Sequence, residues 1–454
     1  MSEANSTTRG GAAATAFRAV MAGGLLLVLA VNLPGHLSLD SVVALVEART
    51  GVRQTWAPAV SSWILRFFDD LVAGTGLYVT ASAALLFVSL MSLTGLRRRT
   101  TWLAAVLGVL AIATPQVLIY QGIVWRDVLF ANLSIAGFIC LAHAAKRWPQ
   151  GRVLPLVGAL FCLALATLVR QNGLILLVFG AGVLAWTARG GGRRASLAWG
   201  LGSLAVAGAL ALFVNHIAQP APPTPPLHPA SLILQHYDIV GAKAHHPKLR
   251  YGAIAKVDPA RAAYLEANAP THYSLARVDS LDTDATFRKA LWQMPDAVMN
   301  AQWIEVITRY PQAYALHRAD VFRWVFLTPD LAQCLPVQVG VDGPGALLAD
   351  LNMVTAMDNQ DLALAGYAKK FYATPVYSHL TWALAAIGVI VLLLRRRDPV
   401  DWVIVSLLAG SLAFTASFAV ISVACDYRYL YLLDLAAMVG LIYWALDPMF
   451  RKRS

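Results

Sequence analysis

Apolar runs near bilayer-spanning length alternate with short polar connections over most of the chain. A helix crossing a hydrocarbon core of about 30 Å needs about 20 apolar residues. Runs near that length fall at 17–33, 77–96, 102–120, 128–145, 153–169, 173–188, 195–217, 379–394, 402–424 and 430–446, which predicts about ten spans. Between the first two runs, 41–49 and 59–72 read as amphipathic helices lying along the membrane surface. The second carries Trp63, Ile64, Phe67 and Phe68 on its oily side. From 219 to 378 the pattern changes: Pro220, Pro222, Pro223, Pro225, Pro226 and Pro229 make a stiff extended lead. After it, Trp292, Trp303, Ile304, Ile307, Tyr310, Tyr314, Phe322 and Trp324 recur at helical spacing and read as the core of a helical soluble region.

The expected architecture is therefore an all-α polytopic membrane protein. Residues 1–16 form a disordered cytoplasmic tail, and 17–217 a membrane domain of seven spans with the loops of interest. Residues 218–378 form a mainly helical extracytoplasmic region, and 379–454 three further spans. Composition agrees, with 58% hydrophobic and 13% charged residues against roughly a quarter charged in soluble domains. No small-residue cleavage signal follows the first run, so it reads as a retained span.

A net charge of +11 would suggest nucleic acid in a soluble protein, but here it writes topology. Arg97-Arg98-Arg99, Lys146-Arg147 with Arg152, Arg189 with Arg193-Arg194, Arg395-Arg396-Arg397 and Arg451-Lys452-Arg453 fall in alternate connections or at the C-terminus. Both termini of this membrane protein are thereby expected in the cytoplasm. The connections holding Asp40, Asp127, Arg170 and Arg428 then fall outside. The four cysteines show no metal spacing; Cys140 and Cys162 lie in apolar runs, and only Cys334 and Cys425 are placed to meet. His245-His246, His236 and His272 lack metal-spaced partners and read as loop groups.

The polar breaks on the outer side carry the candidate chemistry. Asp40 opens the first surface helix; an N-cap role, worth about 1 kcal/mol, and a reactive role do not exclude each other. Arg126-Asp127 beside Trp125 is an interfacial anchor or the second acid of a site. Arg170-Gln171-Asn172 is a tight turn or three polar side chains held at the boundary. Around Arg428, Tyr427 and Tyr429 make an aromatic belt with a snorkelling cation, or a phosphate fork lined for lipid or sugar.

Taken in order, Leu39-Asp40-Ser41, Trp125-Arg126-Asp127-Val128-Leu129-Phe130, Arg170-Gln171-Asn172-Gly173 and Asp426-Tyr427-Arg428-Tyr429 resemble bacterial members of the GT-C class of glycosyltransferases. The resemblance covers the membrane portion. It implies transfer of a sugar, with inversion, from a polyprenyl-phosphate donor to a lipid, glycan or protein acceptor on the outer side. Asp40 would be the catalytic base and Asp127 the acid linked to a metal or to the acceptor. Ser41 stands where many relatives have a second acid, which leaves open a divalent cation (Mg or Mn) on Asp40 and Asp127.

The chemistry agrees with that implication. A sugar hydroxyl needs a base within about 3 Å to take its proton. Arg126, Arg170 and Arg428 are the cations to stabilise a departing phosphate, and Asn172, Tyr427 and Tyr429 can contact substrate. A single displacement needs no covalent nucleophile, and the chain has no GxSxG element. The rival reading is a transporter or flippase for a lipid-linked or small polar substrate. That reading expects charged groups or helix breaks at mid-bilayer in paired halves. A non-catalytic sensor would need a cytoplasmic part large enough to relay a signal.

Overall fold

A computed structural model describes residues 2–55, 57–223, 230–396 and 398–448, leaving out the side chains of 2–10 and 230. Pro225, Pro226, Pro229, Arg397 and Arg451-Lys452-Arg453 lie outside the described residues. Among those described, the chain is all-α with isolated β-bridges and no strands. The first ten helices are α1 (Ser2–Asn32), α2 (Leu39–Thr50), α3 (Ala59–Leu71), α4 (Gly76–Ser92), α5 (Trp102–Ile112), α6 (Pro115–Leu118), α7 (Arg126–Lys146), α8 (Val153–Val169), α9 (Leu174–Ala188) and α10 (Arg193–Ile217). Then follow α11 (Ala230–His245), α12 (Gly252–Ala255), α13 (Pro259–His272), α14 (Ala285–Trp292), α15 (Asp296–Arg309), α16 (Pro311–Leu327), α17 (Gly345–Asp350) and α18 (Asn359–Lys369). The chain closes with α19 (His379–Arg396), α20 (Pro399–Ile421) and α21 (Tyr431–Leu446). Helix α1 begins at Ser2, so the polar stretch expected as a disordered tail is helical, in keeping with its alanines.

The helices form two compact units: Met1–Pro223 with Val337–Phe414 and Leu430–Ser454, and Thr224–Pro336 with Thr415–Tyr429. Residues 337–378, grouped from sequence with the soluble region, thus pack in the first unit. Among the described residues, eight helices are long and apolar enough to cross a membrane, as in a multi-pass integral membrane protein. The run at 102–120 is no straight span: α5 and the short segment 115–122 are bent by 73°. Pro115 lacks the N–H that would continue α5, and the Thr114 hydroxyl donates to the Ala111 carbonyl at 2.7 Å. Helix α8, with 17 residues, is a shorter apolar helix.

Burial orders the first unit. The apolar windows of α7 and α21 are 89% and 83% buried, against 22% in α1 and α10, so the former pair is the core and the latter present apolar side chains outward. Val153, Leu154 and Val157 of α8 and Leu201, Leu212 and Phe213 of α10 are exposed, an apolar surface suited to lipid rather than water.

The two ends of the bundle differ. At one, Arg18 Nε–H donates to Thr94 Oγ1 at 2.9 Å, Lys146 Nζ to the Gly95 carbonyl at 2.5 Å, and Arg97 pairs with Asp398 at 3.1 Å and with Asp401. Arg396 also holds Asp401 at 3.0 Å. At the other end, the exit of α1 lies against 122–124, next to the start of α7. The basic connections and the Asp40 and Asp127 connections therefore occupy opposite ends.

The second unit has its own core, with Tyr237, Tyr251, Phe287, Met299 and Val321 buried and Trp292, Trp303, Tyr310 and Tyr314 packed against them. At its centre Asp238 pairs with Arg318 and accepts from Trp303 Nε1 at 2.7 Å, and His317 Nε2 lies 3.0 Å from it. The histidines expected in loops are packed side chains instead: His236 is edge-on to Trp292, His272 stacks on Phe287, and His245 reaches Asp320 at 3.1 Å. Cys334 and Cys425, 91 residues apart in sequence, form a disulfide in this unit, whereas Cys140 and Cys162 are free. Alkylation of denatured, unreduced protein should therefore block Cys140 and Cys162 alone, read by peptide mass spectrometry. Cys334→Ser should cost about 2–4 kcal/mol in the stability of the second unit.

Candidate functional site

The chain around Asp40 is shaped by what ends α1. Pro34 stops the helix, and Gly35 turns the chain at φ +116, where a Cβ would also press to 2.8 Å on Val79. His36 and Leu37 then run extended. His36 N–H donates to the Gly122 carbonyl at 2.9 Å and its carbonyl accepts from Val124 at 3.0 Å. On the other side, Leu37 pairs with Gly340 and Asp342 at 2.8 and 2.9 Å. Ser38 is the N-cap of α2, its N–H donating to Ser41 Oγ at 3.2 Å, and Ser41 Oγ–H donates to the Val124 carbonyl at 2.7 Å. Asp40 is thus not the N-cap. It stands exposed in the first turn of α2, where the helix dipole favours a carboxylate.

The second element lies alongside. Trp125 is buried, with its Nε1–H donating to Ser38 Oγ at 2.9 Å, and it caps α7. Arg126 is half-buried, whereas Asp127 is 3% exposed and forms an ion pair with Arg170. Arg170 follows α8 in extended conformation, and 171–173 make one 3-10 turn into α9. Gly173 is required there because a Cβ would come within 2.8 Å of the Phe130 ring and the Ala166 carbonyl. The Arg170 guanidinium lies 5.8 Å from the Phe414 ring, which packs on Phe130 at 4.9 Å. Asn172 is half-buried.

Asp127 and Arg170 are therefore in direct contact, and Asp40 sits on the helix whose cap, Ser38, accepts from Trp125 and whose Ser41 donates to the Val124 carbonyl. Arg428, Tyr427 and Tyr429 belong to the second unit. There Arg428 pairs with Asp426 at 3.0 Å, Tyr427 is buried and Tyr429 stacks on Phe418 at 5.5 Å.

Sequence reasoning passed over His36. Gly340 N–H donates to its Nδ1 at 3.0 Å, so the proton is on Nε2, which donates to Asn32 Oδ1 at 2.9 Å. Asn32 in turn donates to the Val28 and Leu118 carbonyls, both at 2.7 Å. Two polar residues four apart at the end of an apolar run were the available signal. A second missed group joins Gln121, Asn132, Ser82, Gln116 and Tyr431 in one buried hydrogen-bond network.

The residues fit a protein-built metal cage poorly. Asp127 is engaged by Arg170, and among the described residues no three His, Cys, Asp or Glu side chains come together to hold an ion.

Two outcomes follow from this geometry. Asp127→Asn strands a largely buried guanidinium and should cost about 3–5 kcal/mol in thermal unfolding in detergent; adding Arg170→Met should recover most of it. Burial holds His36 below the ordinary imidazole range, against the pull of Asp361 and Asp358. It is neutral in the folded state, so its contribution is complete above about pH 6.5 and is lost as pH falls, because the unfolded chain takes the proton first. A protonated Nδ1 must release Gly340 and turn to Asp361, 3.3 Å away. The Gly340 amide should lose protection as the pH falls below that value, exchanging faster relative to an intrinsic rate that itself slows.

No protein-family model and no curated protein matches this chain. Among solved structures, it is similar to the crystal structure of ArnT from Cupriavidus metallidurans bound to undecaprenyl phosphate, at 13% identity and a TM-score of 0.31, covering 94% of this chain and 77% of that one. The chain's own helices establish its class as an all-α polytopic fold.

Proposed function

We propose that this protein is a membrane glycosyltransferase that moves a sugar from a polyprenyl-phosphate donor to a lipid, glycan or protein acceptor on the extracytoplasmic side. The observation that carries the reading is the meeting, at the end of the first unit away from the basic loops, of three polar breaks far apart in sequence. Asp40 stands on the helix capped beside Val124 and Trp125, and Asp127 is paired with Arg170. A disulfide between Cys334 and Cys425 supports an oxidising compartment for the second unit.

In this reading an acceptor hydroxyl attacks the anomeric carbon from the face opposite the phosphate. Asp40 takes the hydroxyl proton as the new C–O bond forms. The bond to the phosphate oxygen breaks, and the phosphate leaves with the electron pair. Its exposure at a helix start leaves Asp40 open to an incoming hydroxyl. Arg170, held in place by Asp127, and Arg126, next to it in sequence, supply fixed positive charge for the departing phosphate. Asn172, in the turn that follows Arg170, is the substrate-contacting side chain of the proposal in this unit. The paired ionisable side chains in the spans, His379 and Asp434 at 2.8 Å, stand in the first turns of α19 and α21.

Purified protein supplied with a polyprenyl-phosphate sugar and candidate acceptors tests the reading. Asp40→Asn should lower turnover about 10²–10⁴-fold without loss of thermal stability, since Asp40 is exposed. Equal turnover removes the mechanism, and uptake of labelled solute without transfer establishes the transporter. Running the assay with and without a chelator reads whether Mg or Mn takes part.

A further inference from the structure

A cavity of about 190 Å3 lies among α2, α3 and the end of α10, lined by Glu47, Gly51, Ser62, Trp63, Arg66 and Gln219 among others. Backbone closes one side of it: Arg53 N–H donates to the Ala221 carbonyl at 2.8 Å, and Ala221 N–H to that of Gly51 at 2.7 Å. Gly51, at φ +66, ends α2 and leaves the wall open. The charge in this cavity is unusual. Glu47 is 3% exposed, its Oε2 accepts from Gln54 N–H at 2.9 Å, and among the described residues no Lys, Arg or His stands within ion-pair distance. A buried carboxylate without a counter-cation is costly, and a cation that completes it binds with that energy. Arg66, the cavity's own guanidinium, is held among the described residues only by Asp70 at 3.4 Å, with both side chains exposed. Such a solvated pair is weak, so Arg66 is available to a ligand.

We infer that this cavity binds the phosphoethanolamine head group of a membrane lipid. The primary ammonium completes Glu47, with the Ser62 hydroxyl as a further acceptor and the Trp63 indole as an apolar wall suited to a cation. The phosphate takes Arg66. Two observations select a lipid as the source. Ile217 to Pro220, at the cavity wall, are where a spanning helix ends, which puts the cavity at head-group level. Helix α3 and the residue after it expose Phe67, Leu71 and Val72, an apolar strip for acyl chains. The inference does not rest on sugar transfer, because none of these residues belongs to the Asp40, Asp127 and Arg170 group.

The full-length protein, reconstituted in nanodiscs of equal phosphatidylethanolamine and phosphatidylglycerol and then delipidated stepwise in detergent, reports retained lipid by native mass spectrometry. Wild type should retain phosphatidylethanolamine with about tenfold preference, equivalent to about 1.4 kcal/mol; Glu47→Gln should erase that preference, and Arg66→Gln should lower retention of both lipids several-fold. The exposed Arg66 keeps the test valid if the Glu47 variant fails to fold. Equal retention of both lipids by wild type, or undiminished retention of both in Arg66→Gln, overturns the site. Phosphatidylcholine, whose ammonium has no N–H, should not substitute; equal retention of it overturns the contact to Glu47. Thermal protection by soluble phosphoethanolamine as strong as by the lipid overturns the lipid assignment.

Discussion

Everything near Asp40 depends on three extended pieces of chain finding one another's backbone. After α1, residues 36–37 are bonded on one side to 122–124 and on the other to 340–342, and Val341 bonds onward to Ala356. Helices satisfy their own amides, but a chain that leaves a helix near the apolar layer must pair its N–H and C=O groups elsewhere. The ladder meets that requirement, and in doing so it sets the direction in which α2 starts. Glycine makes it possible: Gly122 packs so tightly on Asn32 that a Cβ would overlap the asparagine side chain, and Gly340 adopts φ +70 against the Ala356 carbonyl.

Charge is distributed by the same logic of satisfaction. In the first unit the buried charges are held by opposite partners: Asp127 by Arg170, Asp401 by Arg97 and Arg396. Asp434 has His379. Such pairs add little net stability over apolar residues, yet removing one member is expensive, so they fix which helix ends meet. Arg97 and Arg396, read from sequence as markers of membrane side, are also the counter-ions that join the ends of α4, α19 and α20. Glu47 departs from this pattern.

The sequence made the helical class legible because spanning length and apolar composition are local properties. For Cys334 and Cys425 the sequence narrowed the choice, by setting aside the two cysteines in apolar runs, but left open whether they pair. The meeting of Asp127 with Arg170 was foreshadowed only by their lying on one expected side. What could not be read was long-range backbone pairing: Val339-Gly340-Val341-Asp342-Gly343 carries no periodicity to say that it joins the exit of α1. Pro115 announced its break, but an apolar run on both sides masked it. Ser38 rather than Asp40 caps α2 because the chain stays extended through residue 38, and the long-range bond from Trp125 Nε1 to its hydroxyl could not be read from sequence. His236 and His272 looked like loop groups because neither ring partner, Trp292 or Phe287, is near in sequence.

The bond between Cys334 and Cys425 also says something about how the molecule is made. The 90 residues between its ends include the whole of α19 and of α20. The ribosome therefore releases the first thiol well before the second, and a descending and a returning segment must be threaded through the bilayer in the interval. The bond can therefore close only after both of those helices have been made, and it then ties the chain ahead of α19 to the chain that follows α20.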